Sequence, residues 1–121
     1  MMRLVDFLGL LSYCLFIYGL SDQASLSAPM WFDHQDKIYH AGAYFVMALL
    51  AWRCLRHWLN VPIILALLSV TLCSLYGISD EWHQSFVDGR SADIADWMAD
   101  TAGAGLAMFG LSRLGKRNRT A

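Results

Sequence analysis

The sequence predicts an all-α fold: a four-helix transmembrane bundle with both termini in the cytoplasm. Three observations carry that prediction. Of the 121 residues 57% are apolar and only 16% are charged, against roughly 25% charged in ordinary soluble domains, and mean hydropathy is +0.40. Four apolar runs, at about residues 5–20, 38–52, 61–78 and 97–112, alternate with polar stretches. The charges also sort by side. Arg3, Arg53, Arg56, Arg113, Lys116, Arg117 and Arg119 fall on one side of four alternating crossings, with Asp6 as the sole acid there. The other side holds the remaining acids and only Lys37 and Arg90 as bases. That is the positive-inside pattern of a cytoplasmic membrane protein whose acidic loops face outward.

Each run is shorter than the roughly 20 residues that cross a bilayer core unaided. A soluble four-helix bundle is the alternative, but its helices would carry a charged face. Residues 7–21 and 61–79 contain no charge at all. Arginines that snorkel at one face, with polar helix ends at the other, extend the runs to spanning length. Trp31, Trp52, Trp58, Trp82 and Trp97 stand near the expected boundaries, where indoles favour the interface.

The elements follow in order, within one domain of residues 1–121. The first helix is expected at about 5–20. Its apolar run, followed by Ala24-Ser25-Leu26-Ser27-Ala28, also has the outline of a cleavable signal, but Asp6 and the length of the run favour retention. A long loop with Pro29 leads to a second helix at about 37–56, for which Asp36 is the expected N-cap. Asn60-Val61-Pro62 is a tight turn, because proline suits a helix's first turn, where its missing N–H is not needed. The third helix is expected at about 61–86. Val87-Asp88-Gly89-Arg90 reads as a turn, and Ser91 or Asp93 then caps a fourth helix at about 92–113. Cys14, Cys54 and Cys73 lie inside apolar runs, and their odd number and spacing fit buried thiols rather than a disulfide or zinc framework.

The chemistry concentrates in residues 80–103, which hold six of the ten acids. Such a group beside membrane helices marks a functional site by default. Helical spacing turns Glu81 and Gln84 inward and puts Asp80 and His83 towards another face, with His83 able to be a solvent-exposed bystander. Asp93, Asp96, Asp100 and Gly103 step by three, four and three, forming one stripe. Helix-dipole effects explain acids in the first turn but not Asp100, two turns in. A stripe of carboxylates inside a bundle needs Arg90, Lys37, His40 or a metal ion opposite it. Thr101, Gly103 and Gly105 are small enough to let neighbouring helices approach closely. From the second helix, Lys37, His40 and Tyr44 share one face, and His40 requires a carboxylate partner from another helix.

Asp36-Lys37-x-x-His40-x-x-x-Tyr44, Glu81-x-x-Gln84 and Gly89-Arg90-Ser91-x-Asp93-x-x-Asp96-x-x-Ala99-Asp100-Thr101-x-Gly103 together resemble the VanZ-like family of small membrane proteins. The resemblance covers nearly the whole chain. It implies a cell-envelope role at the outer face, of the kind linked to glycopeptide antibiotic resistance. Asparagine is common in the family at the position of Asp100, so the resemblance assigns that residue no acidic role.

Three functions follow. The first is a ligand-binding pocket of Lys37, His40, Tyr44, Glu81, Gln84, Arg90, Asp93 and Asp96 for an envelope lipid or peptidoglycan-related precursor, with Arg90 and Lys37 suited to a phosphate or carboxylate. The second is an intramembrane hydrolase or transferase on a lipid-linked substrate, with His40 or Glu81 as general base and Arg90 stabilising negative charge. The third is an accessory subunit whose polar stripe only locks helices together. No cofactor is expected and no metal motif such as H-E-x-x-H occurs; a metal-assisted variant would draw on His40, Glu81, Asp93 and Asp96. The lipid bilayer is the expected partner and a homo-oligomer is compatible. The net charge of −1, without a basic aromatic-laced face, points away from nucleic acid.

Overall fold

A computed structural model describes residues 1–24 and 29–120, with no side-chain account beyond Asn118. The described residues form four helices: α1 (Met2–Ser21), α2 (Gln35–Leu55), α3 (Pro62–Gln84) and α4 (Ile94–Thr120). There is no strand among the described residues. The first three helices are long and apolar enough to cross a membrane. Their outward faces carry Leu8, Leu11, Phe16, Leu67 and Leu75, all exposed, as suits contact with lipid rather than water.

The helix ends follow local chemistry. Pro62 starts α3 after an extended Val61, because a proline at the first helical position gives up no needed hydrogen bond. Gly89, at φ +80°, adopts a left-handed conformation that a side chain would strain, and Arg90 N–H closes the turn on the Val87 carbonyl at 3.0 Å. Asp93 is the cap of α4: its Oδ1 accepts the Ala95 N–H at 2.8 Å, while Ser91 makes no such bond among the described residues. Asp36 is not the cap of α2. That place belongs to His34, at φ 62° and without a side-chain cap bond, and Asp36 lies inside the first turn, its carboxylate drawn to Lys37. Gln35 holds the preceding loop instead, accepting the Trp31 N–H and donating to the Pro29 carbonyl. At the far end α4 runs past Arg113 to Thr120, since no helix-breaking proline intervenes. Ser25–Ala28 of the possible cleavage segment lie outside the described residues.

α2 is the centre of the bundle and packs on all three other helices, most extensively on α4. α3 also packs on α4, while α1 rests on α2 and, more lightly, on α3. The buried core is Tyr44, Met47 and Ala48 of α2, Cys73 of α3, and Ala104, Ala107 and Met108 of α4, with Ile17 of α1 at its edge. Small residues allow the close α2–α4 seam, as in membrane helix pairs generally. Gly103 is its tightest point, while Gly105 has no atom near the place a side chain would occupy. The expectation that Gly105 also serves packing is therefore corrected: two residues on, the helix has turned it away from the seam. All three cysteines are free, Cys54 and Cys73 buried and Cys14 half-buried.

Candidate functional site

The acidic ends of α2, α3 and α4 meet in a buried polar cluster. Its α4 wall is the stripe read from spacing, with Asp96 8% and Asp100 0% exposed. Lys37 of α2 enters it from the side, with Nζ 2.8 Å from Asp93 Oδ2, 2.5 Å from Asp96 Oδ1 and 2.9 Å from Asp36 Oδ2. Lys37 beside it, with help from the Ala95 N–H, holds the Asp93 carboxyl below the usual carboxylate range. One helical turn deeper, His40 Nδ1 lies 2.8 Å from Asp100 Oδ1, and its Nε2 is 3.6 Å from Asp96 Oδ2. The carboxylate partner that a half-buried imidazole requires thus comes from α4.

α3 contributes Glu81 and Gln84, both buried. Glu81 Oε2 accepts the backbone N–H of Asp93 at 2.7 Å, tying the end of α3 to the start of α4. Glu81 Oε1 and Asp100 Oδ2 are buried without a hydrogen-bond partner among the described residues. Asp80 is buried as well, with Gln84 Nε2 donating to its Oδ2 at 3.2 Å. This corrects the sequence reading, which turned Asp80 to a separate face. α3 is covered on two sides, by α1 and by α2 with α4, so two of its faces are interior. His83 is no bystander: its ring stacks on Tyr18 of α1 at 4.3 Å, and its Nε2 lies 3.1 Å from Asp22 Oδ1.

Beside this cluster, between α1, α2 and α3, is a cavity of about 90 Å³. Its lining surface is mostly apolar: α1 closes it with Ile17, Leu20 and Ser21, while His40, Tyr44, Asp80, Gln84 and Arg90 border it from α2, α3 and the turn before α4. Ser21 Oγ and Tyr44 Oη are buried without a hydrogen-bond partner among the described residues. Arg90 differs from Lys37, Arg53, Arg3, Arg56 and Arg113. Lys37 and Arg53 are in ion pairs, and Arg3, Arg56 and Arg113 lie over aromatic rings, whereas the Arg90 guanidinium makes no such contact with the described residues.

The residues expected to form one pocket are therefore divided. His40, Tyr44, Gln84 and Arg90 line the cavity. Glu81 and Asp93 line a separate outer groove with Trp97, and Lys37 with Asp96 forms an ion pair between helices. Sequence reasoning missed Ser21 and Asp80. It also passed over a second polar cluster at the arginine-rich end, where buried Asp6 binds Arg53 Nη2 and His57 Nε2, each at 2.8 Å. The isolation of Asp6 among arginines was the available signal.

No curated protein and no solved structure matches the chain. A family model, described as VanZ/LLP1, matches residues 10–115.

Proposed function

The chain belongs to the VanZ/LLP1 family, and from that premise we propose that it binds the anionic head of an envelope lipid or peptidoglycan precursor at the outer face of a bacterial cytoplasmic membrane. The observation that carries this reading is Arg90, which has no counter-ion among the described residues and lines a cavity bordered by Ser21 and Tyr44, whose buried hydroxyls likewise lack a partner among those residues. A guanidinium in that setting suits a phosphate or carboxylate, which it can hold through two parallel hydrogen bonds. Asp80 and Gln84 in the same wall favour a head that also carries hydroxyls, as a glycerol or sugar phosphate does. The cavity is far smaller than the ~300 Å³ or more of pockets that enclose a whole ligand. It would take only the polar tip and leave the apolar remainder in the bilayer.

In this reading α4 is a fourth span. Its carboxylates turn towards α2 and α3, and Met98, Leu106 and Phe109 form an exposed apolar face, the arrangement expected of a polar stripe inside a membrane bundle. The arginine-rich end then lies in the cytoplasm and the cavity opens outward. A glycopeptide-resistance role is compatible with a site there.

A second reading, an intramembrane hydrolase or transferase on a lipid-linked substrate, is favoured by His40. Asp100 orients its Nδ1, which leaves Nε2 as the nitrogen able to take a proton, while Arg90 lines the same cavity and would stabilise developing negative charge.

The test is native mass spectrometry and lipid analysis of the full chain purified in nanodiscs of mixed composition. The wild type is expected to retain a phosphate-bearing lipid selectively. Arg90→Ala should weaken that retention by about tenfold or more, the equivalent of one charge-assisted hydrogen bond, with unchanged elution and melting. Equal retention by Arg90→Ala, or no selectivity in the wild type, overturns the reading. Turnover of a retained lipid, lost in His40→Gln, would favour the second.

A further inference from the structure

We infer that His40, Glu81 and Asp100 form a binding site for one divalent transition cation of the zinc or manganese class. The three residues come from three different helices, and each offers a ligand atom within 4.8 Å of the other two. A first-row cation holds nitrogen and oxygen ligands at about 2.0–2.2 Å, which places neighbouring ligand atoms roughly 3 Å apart. His40 Nδ1 and Asp100 Oδ1 are already 2.8 Å apart. One imidazole and two carboxylates form a donor set that borderline cations accept, and the absence of thiolates argues against a soft ion.

An independent observation points the same way. Glu81 and Asp100 are 7% and 0% exposed, yet Glu81 Oε1 and Asp100 Oδ2 have no hydrogen-bond partner among the described residues. Unpaired carboxylate oxygens in such surroundings are costly, and a cation satisfies both oxygens at once. The positive charge nearby is already committed: the Lys37 ammonium contacts Asp36, Asp93 and Asp96. Among the described residues, His40 is then the one basic side chain in the Glu81–Asp100 group. This set differs from the one that spacing alone offered, because Lys37 has taken Asp93 and Asp96 and the turn of α4 has brought Asp100 to His40. Three protein ligands leave coordination positions open, as in sites that also hold water or a ligand.

Elemental analysis of the purified full chain tests the site, followed by chelation and titration with Zn²⁺ and Mn²⁺ separately. One equivalent per chain, or saturable uptake of one equivalent after chelation, is expected. Co²⁺ substitution should produce visible absorption bands of a nitrogen- and oxygen-ligated centre. Glu81→Gln and Asp100→Asn should each weaken uptake by at least the ~10–100-fold that losing even an outer-shell partner costs. Absence of saturable uptake by the wild type overturns the site, as does uptake unchanged in both variants. The Co²⁺ spectrum of the wild type keeps the test decisive if a variant fails to fold. No lipid enters the measurement, so its outcome is separate from that of the Arg90 experiment.

Discussion

Gly103 of α4 lies against Ala41 of α2 so closely that a side-chain Cβ at Gly103 would stand 2.0 Å from the Ala41 carbonyl oxygen. This contact positions the polar cluster. Ala41 follows His40, and Gly103 is one turn beyond Asp100, so seating one backbone on the other brings the two side chains to 2.8 Å. Depth along the seam continues through Ala48, Ala104 and Ala107, all buried.

Gly103→Ala should therefore separate the two helices rather than merely fill space. The obstacle is backbone, which cannot rotate away, so the loss should exceed the ~1–3 kcal/mol of ordinary overpacking. Gly105→Ala is the matched control: nothing lies within 4 Å of a Cβ there, and alanine's better helix propensity predicts no loss. Thermal unfolding in detergent checks both. Equal melting of the two variants would mean that Gly103 does not seat α4 on α2.

Lys37→Met should destabilise the fold more than Asp93→Asn. The methionine keeps the aliphatic stem but leaves Asp96, whose side chain is 12% exposed, without its cation. The expected loss lies between the ~1 kcal/mol of exposed pairs and the ~3–5 kcal/mol of fully buried ones. Lys37→Met combined with Asp96→Asn should recover part of it, because the double variant buries no unpaired charge. A double variant no more stable than Lys37→Met would remove the electrostatic account and leave packing alone.

The residues that recur at helical spacing were legible in the sequence. The inward stripe of α4 and the inward pair Glu81 and Gln84 follow from the angle between successive residues, which any helix fixes. What spacing cannot supply is the register between helices. Lys37, His40 and Arg90 were all candidate partners for the stripe, and only the seating of Gly103 on Ala41 decides among them: Lys37 takes Asp93 and Asp96, His40 takes Asp100, and Arg90 is left facing a cavity. Asp80 was misplaced for a related reason. A single amphipathic face assumes one covered side, and α3 has two.

Asp93 predicts a pH dependence confined to acid. Its carboxyl is held below the usual range by Lys37 and by the Ala95 N–H, so the folded state favours the ionised form. A depressed folded-state value gives stability that is present above the unfolded value, near 3.9, and is lost as pH falls through the folded one. Unfolding midpoints should hold steady on this account between about pH 5 and 7 and drop at lower pH, with a shallower drop in Asp93→Asn. An identical acid limb in the variant would mean that another carboxylate governs it.

α1 is the lightly held helix, and its attachment should control the cavity. It packs on α2 and α3 but not on α4, and it supplies Ile17, Leu20 and Ser21 to the cavity wall. Two tyrosines pin its middle: Tyr76 of α3 donates to the Cys14 carbonyl, and Tyr13 donates to the Ala43 carbonyl at 2.8 Å. Each such bond contributes about 0.5–1.5 kcal/mol net, a large share of what holds a helix with so little burial. Tyr76→Phe should accordingly speed alkylation of half-buried Cys14, by up to about tenfold for the upper figure, and Tyr13→Phe with Tyr76→Phe should speed it further. Buried Cys73 serves as the internal reference. Ligand retention should fall in step with Cys14 exposure, since both report the same opening of α1, whereas cation uptake by His40, Glu81 and Asp100 should not change, because α1 contributes no ligand to it. Cys14 reactivity unchanged in the double variant would mean that the other attachments of α1, Asp6 to Arg53 and His57 and Tyr18 with Asp22 to His83, hold it in place.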